Sequence, residues 1–86
     1  MGIMCSSEIN IEVRVNSTRN LSANDLGLTQ GEVVRICFSD DERIARCQST
    51  KRSISISGIC CGNTTVTANV VGGAEARFIC VRVNVR

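Results

Sequence analysis

A strict alternation of apolar and polar residues constrains the fold of this chain more than any other feature. Residues 9–15 place Ile or Val at every odd position, and residues 79–85 repeat the pattern near the end of the chain. Because successive side chains of a strand point to opposite faces, each segment predicts a strand that buries one side only. No segment carries an apolar stripe with helical spacing over a useful length, so we expect no helix longer than one turn.

Turn signals between the apolar segments divide the chain into about seven short strands. The acidic run Asp40-Asp41-Glu42 ends a second apolar segment, and Gly72-Gly73 predicts a hairpin before the last strand. Residues 17–25 are polar and are interpreted as a loop. The pattern predicts an all-β fold, an antiparallel β-sandwich with Greek-key connections. Further strands are expected at residues 34–38, 43–49, 53–59, 63–71 and 75–85.

The parity of each strand predicts which side chains line the core. Phe78 is out of phase with residues 79–85, and a bulge near Ala76-Arg77 is the preferred explanation, with an outward-facing Phe78 as the alternative. The predicted core residues are Ile11, Val13, Val34, Ile36, Ile54, Ile56, Val66, Ala68, Val81 and Val83.

Length and composition limit the classes of function. With 86 residues the chain makes one domain with a thin core, for which we expect a flexible segment at 1–8 and a folded domain at 9–86. The chain has no His, which removes the usual general base, and its net charge of +2 with scattered arginines argues against a nucleic-acid partner. No apolar run reaches membrane-spanning length. We expect a non-enzymatic protein with no cofactor and no metal, whose partners are other proteins or neighbouring domains.

Six cysteines are many for so short a chain. An even count predicts disulfides formed in an oxidising compartment, so the expected location is extracellular, on the cell surface or periplasmic. A bridge is expected from the adjacent pair Cys60-Cys61 to Cys47, or failing that to Cys37, whereas Cys80 is expected to face outward and stay free or pair between chains. The disulfide candidates are Cys37, Cys47, Cys60, Cys61 and Cys80.

The cysteines suggest a zinc site and the acidic run suggests a calcium site, but the sequence favours a simpler interpretation of each. Zinc normally requires paired ligands at spacings such as Cys-x-x-Cys, which the chain lacks. Calcium could bind the carboxylates of Asp40-Asp41-Glu42, but consecutive side chains of a turn diverge, so a solvated turn is favoured. A thiol-dependent or metal-binding module is therefore the weakest of the functional hypotheses.

Several short motifs follow one another along the chain: LTQGE at 28–32, RIARC at 43–47, ISGICCGNTTVT at 56–67, the Gly72-Gly73 pair and the alternating valines of residues 81–85. Taken in this order they resemble bacterial Ig-like domains and also the small N-terminal domain of pilus-assembly secretins. The first resemblance implies an Ig-like sandwich that serves as a structural or adhesion module of an exported or surface protein, and the second implies a periplasmic assembly domain. Both imply a sandwich in which Gly58 and Gly62 bracket a turn between sheets, with Gly72 and Gly73 at a hairpin.

Overall fold

A computed structural model describes residues 4–86 and contains seven strands and one single-turn helix. The prediction of an all-β sandwich is confirmed, and within the described residues no helix exceeds one turn. The elements are β1 Ser7–Val13, β2 Thr18–Leu21, α1 Ala23–Leu26, β3 Val33–Ser39, β4 Ala45–Ser49, β5 Ile54–Gly58, β6 Gly62–Val71 and β7 Arg77–Val85.

The strands form a large sheet in the order β1-β7-β6-β3 and a small sheet in the order β2-β5-β4. Neighbouring strands run antiparallel, except that β1 runs parallel to β7. Beyond β1 the chain crosses to the small sheet, where Val15 forms a bridge with Gly58. A Cβ atom on Gly58 would lie 2.5 Å from the carbonyl oxygen of Arg14, so glycine is required where these two segments meet.

The core lies between the two sheets and is almost entirely aliphatic. Nine of the ten predicted core residues are buried, and the exception is Ile36, which is 52% exposed. The prediction for Ile36 is therefore wrong. The core is completed by Leu21, Leu26, Ala45, Val70, Ile79 and Val85.

A bulge in β3 explains the exposure of Ile36. Val34 pairs with Val70, but Ile36 pairs with Asn69, so Arg35 is the extra residue and its side chain is exposed. The bulge reverses the parity of the rest of β3, which turns Ile36 outward and Cys37 toward the core.

The predicted bulge near Ala76-Arg77 is wrong. Each residue of β6 from Gly62 to Val70 pairs with one residue of β7, from Val85 back to Arg77. No extra residue interrupts this pairing, so there is no bulge in this part of β7. Gly72 adopts a left-handed φ of 99°, which favours glycine. Phe78 therefore keeps its parity and lies on the outer face of the large sheet.

Residues 17–25, predicted to be a loop, instead contain β2 and α1. The strand has four residues and buries only Leu21, so its alternation is too short to recognise. The helix is a single turn, capped by reciprocal hydrogen bonds between Ser22 and Asp25 and ended by Gly27 in the left-handed conformation. It contributes Leu26 to the core.

Backbone hydrogen bonds connect the residues before position 9 to the large sheet. Strand β1 begins at Ser7, and the backbone N–H of Ser6 donates to the carbonyl of Phe78 at 2.8 Å. Residues 1–3 lie outside the described part of the chain.

Candidate interaction surface

An apolar area lies on the solvent side of the large sheet, at the end formed by the middle of β3 and the start of β7. Two cross-strand rows form it, each with one residue from β3, one from β6 and one from β7. Ile36 and Phe38 are 52% and 38% exposed, and Phe78 is half-buried. We call this area the outer apolar surface; its rows are Ile36, Asn69, Phe78 and Phe38, Thr67, Cys80.

The central strand of this surface is polar but already covered by its neighbours. Thr67 and Asn69 are 4% and 7% exposed, although both point away from the core. The Asn69 amide donates to the backbone carbonyl of Arg77 at 3.3 Å, and no buried side-chain nitrogen or oxygen within residues 4–86 lacks a partner.

The other end of the same sheet face is polar. A groove of about 800 Å³ is lined by Asn10, Glu12, Arg19, Asn63 and Arg82, among others. Exposed ion pairs lie along β1, with Arg82 Nη2 3.5 Å from Glu8 Oε1 and Arg86 Nη2 2.8 Å from Glu12 Oε1. Such exposed pairs contribute little to stability, but charged side chains discourage the addition of another strand to the β1 edge.

One disulfide joins Cys5 to Cys80, with their Cα atoms 5.6 Å apart. The parallel pairing of β1 with β7 brings the segment before β1 alongside the start of β7, which places Cys5 within reach. This corrects the expectation that Cys80 is free or paired between chains. Sequence reasoning missed the bridge because it did not identify which strand lies next to β1.

The adjacent Cys60 and Cys61 occupy the turn between β5 and β6, and both are exposed free thiols. Gly58 and Gly62 bracket this turn, which crosses from the small sheet to the large one. The expected bridge from this turn to Cys47 or Cys37 is absent. The residue of β4 that pairs with Gly58, next to the turn, is Ala45, whereas Cys47 pairs with Ile56 and faces the interior.

The two remaining free cysteines, Cys37 and Cys47, meet at the side of the sandwich where β3 packs on β4. The Cys47 thiol donates a hydrogen bond to Cys37, and this contact, aided by the Ser49 hydroxyl, lowers the pKa of Cys37 to about 7. The same hydrogen bond, with partial burial, raises the pKa of Cys47. Both side chains are half-buried against the core.

A buried ionic cluster around Glu32 joins the segment before β3 to the start of β7. Arg77 binds the Glu32 carboxylate through both Nε (3.0 Å) and Nη2 (2.9 Å), and the Thr29 N–H and hydroxyl donate to the same carboxylate. These hydrogen bonds lower the pKa of Glu32 from its ordinary value of 4.5 to about 2. Arg52 adds a hydrogen bond to the Glu32 backbone carbonyl at 2.6 Å.

Sequence reasoning did not find this cluster. Glu32 and Arg77 are 45 residues apart and each lies in an ordinary turn or strand start, so no local pattern joins them. Gly73 packs directly over the Glu32 side chain, which gives that glycine of the hairpin a close-packing role.

The acidic run at residues 40–42 forms a turn in which Asp41 is paired with a neighbour. Arg43 Nε lies 3.2 Å from Asp41 Oδ1, and this contact lowers the pKa of Asp41. Asp40 and Glu42 are exposed. Among residues 4–86 there is no group of three or more His, Cys, Asp or Glu side chains that could hold a metal ion.

No helix in the described part of the chain is long and apolar enough to cross a membrane. No family model matches the sequence, and no curated protein matches it. Among solved structures, the chain is similar to the crystal structure of domains 4 and 5 of the S-layer protein SbsC, with a TM-score of 0.61 and 18% sequence identity. The alignment covers 99% of this chain and 51% of that one, so this chain spans about half the length of the solved chain. The likeness supports the sandwich fold.

Proposed function

We propose that this chain is a non-enzymatic Ig-like module of an exported or surface-exposed protein, with a structural or adhesion role, and that its outer apolar surface packs against a neighbouring protein domain. The observation that carries the proposal is the exposure of Ile36 and Phe38, together with the half-buried Phe78 two strands away, on a sheet whose other face already fills the core. Exposed apolar side chains that cluster in this way mark protein contacts more often than isolated ones do.

Two further observations support this role. The Cys5–Cys80 disulfide suits an oxidising compartment outside the cytosol. The similar solved structure holds two domains of an S-layer protein, and this chain covers about half of it, which suits one unit of a multidomain chain. A protein domain is the occupant that these observations favour, because the surface carries exposed apolar side chains and the similar solved structure holds two domains of one protein.

The secretin assembly domain is not favoured by any contact of the described residues. It would also use a docking surface, so the two hypotheses differ in the identity of the partner. A flanking domain of the same chain or another surface protein would support the proposal, whereas a secretin subunit would replace it.

The proposal can be tested by site-specific photocrosslinking in the cells that make the full-length protein. A benzophenone amino acid replaces Phe38 on the outer apolar surface or, as the matched control, Asn10 on the polar end of the same sheet face. We expect a discrete crosslink from position 38, identified by mass spectrometry as a domain of the same chain or of another exported protein, and none from position 10. Equal yields from both positions, or no crosslink at position 38, would contradict the proposal.

Sedimentation of the purified chain separates a neighbouring domain from a second copy. We expect a monomer that does not change with concentration. A dimer that Phe38→Ser dissociates would show that a second copy, and not another domain, is what covers the surface.

A further inference from the structure

Cys37 and Cys47 lie in different sheets, on two strands that pack against each other. The bulge in β3 turns Cys37 inward, opposite Ala68, and Cys47 lies on β4 opposite the fully buried Ile56. Strands β3 and β4 follow each other in sequence and pack together, but they belong to different sheets. Both side chains turn toward the core and pack half-buried against it, so the two thiols face the same narrow region between β3 and β4.

Backbone contacts across this side of the sandwich are concentrated at its two ends. At one end the N–H of Val34 donates to the carbonyl of Lys51 at 2.7 Å. At the other, the turn at residues 40–44 connects the strands, and the N–H of Ala45 donates to the carbonyl of Asp41 at 3.2 Å. Cys37 and Cys47 lie between these ends, where the sheets are held by side-chain packing.

We propose that Cys37 and Cys47 form a redox-active pair, which a small-molecule disulfide such as oxidised glutathione converts into a second disulfide linking the large sheet to the small one. This inference is independent of the outer apolar surface and of what covers it. It assigns to Cys37 and Cys47 a role distinct from that of the exposed Cys60 and Cys61.

The chemistry balances as two thiol–disulfide exchanges. The Cys37 thiolate attacks one sulfur of oxidised glutathione, forms a mixed disulfide and releases one glutathione thiolate. Cys47 then loses its proton and attacks the Cys37 sulfur, and the second glutathione leaves as a thiolate. The protein loses two electrons and two protons, and the oxidant is reduced to two molecules of glutathione.

The environments of the two thiols suit these roles. With a pKa of about 7, Cys37 is substantially ionised at neutral pH, and the thiolate is the form that attacks a disulfide. Cys47 keeps its proton while Cys37 is charged, and Glu42 adds to this effect. Once Cys37 is in a mixed disulfide its charge is gone, which removes the main cause of the raised pKa of Cys47. Partial exposure leaves both sulfurs within reach of a small oxidant.

Tryptic mapping can test the pair directly, because the sequence places the relevant cysteines on separate peptides. Cleavage after Arg and Lys leaves Cys37 on the peptide 36–43 and Cys47 on 47–51, while Cys60 and Cys61 share 53–77. The protein, with its Cys5–Cys80 bridge intact, is treated with oxidised glutathione, its remaining thiols are alkylated, and the digest is analysed without reduction. We expect a linked species of 36–43 with 47–51, formed faster in the folded protein than in urea.

Variants separate the pair from nonspecific oxidation. Cys47→Ser should lose the linked peptide and retain glutathione on Cys37, whereas Cys61→Ser should leave the linked peptide unchanged. Circular dichroism verifies that both variants are folded. The proposal fails if Cys37 and Cys47 stay reduced while Cys60 or Cys61 is modified, or if the link forms no faster in the folded chain than in urea.

Discussion

The two faces of the large sheet are built from the same strands but follow different rules. On the inner face, β7 presents Ile79, Val81, Val83 and Val85, all at most 2% exposed. On the outer face, the same strand presents the apolar Phe78 and Cys80 at its start and the polar Arg82 and Asn84 farther on, so the two kinds of residue are separated along the strand. Burial in the core explains why the inner face is aliphatic. It does not explain the apolar residues on the outer face, which the core does not contain. The outer apolar surface is therefore the part of this sheet at which the proposed contact with a neighbouring domain would form.

The largest expected loss of stability follows from removing the disulfide on the outer face. Cys5→Ser removes a crosslink between residues 75 apart, which in the chain-entropy model lowers the free energy of unfolding by about 4 kcal/mol. Denaturant unfolding of Cys5→Ser beside Cys61→Ser, which removes an exposed free thiol, measures the difference. Equal stability of the two variants would mean that the bridge adds nothing to the β1–β7 pairing.

A cavity on the inner face should cause the second-largest loss of stability. Ile79 is fully buried between the sheets, so Ile79→Ala removes packed methylene groups and should destabilise the chain by about 3 kcal/mol. The same unfolding measurement applies. A loss below about 1 kcal/mol would indicate that the thin core collapses around the cavity, in which case the inner face is less rigid than its burial suggests.

The contrast between faces also explains what could be predicted from the sequence. Alternation locates the inner face because burial selects aliphatic residues at every second position, and nine of the ten predicted core residues are buried accordingly. It failed at Ile36 because a bulge changes parity without changing composition. It could not place the disulfide or the Glu32 cluster, since both depend on which distant segments become neighbours. Cys60 and Cys61 stay unpaired because the β4 residue beside their turn is Ala45, and because β1 brings Cys5 to Cys80.

The Glu32 cluster predicts a specific acid sensitivity. Because folding lowers the pKa of Glu32 from 4.5 to about 2, its contribution to stability is fully present above pH 4.5 and is lost as the pH falls through about 2. Glu32→Gln should therefore be less stable than the parent near neutral pH, and the gap should narrow between pH 4.5 and 2. Thermal unfolding across this range, with the exposed Glu12→Gln as the control, provides the measurement. A gap that does not change with pH would show that the carboxylate charge is not what matters.

The smallest expected effect is at Ile36, which has the same side chain as Ile79 and lies in the same sheet but faces solvent. Ile36→Thr keeps a β-branched residue in β3 and removes apolar surface that is already 52% exposed, so the free energy of unfolding should change by less than about 0.5 kcal/mol. If the outer apolar surface packs against a neighbouring domain, the same substitution should reduce the crosslink yield from position 38 in the full-length protein. An effect on stability as large as that of Ile79→Ala would mean that Ile36 packs within the sandwich, and the distinction between the two faces would have to be abandoned at β3.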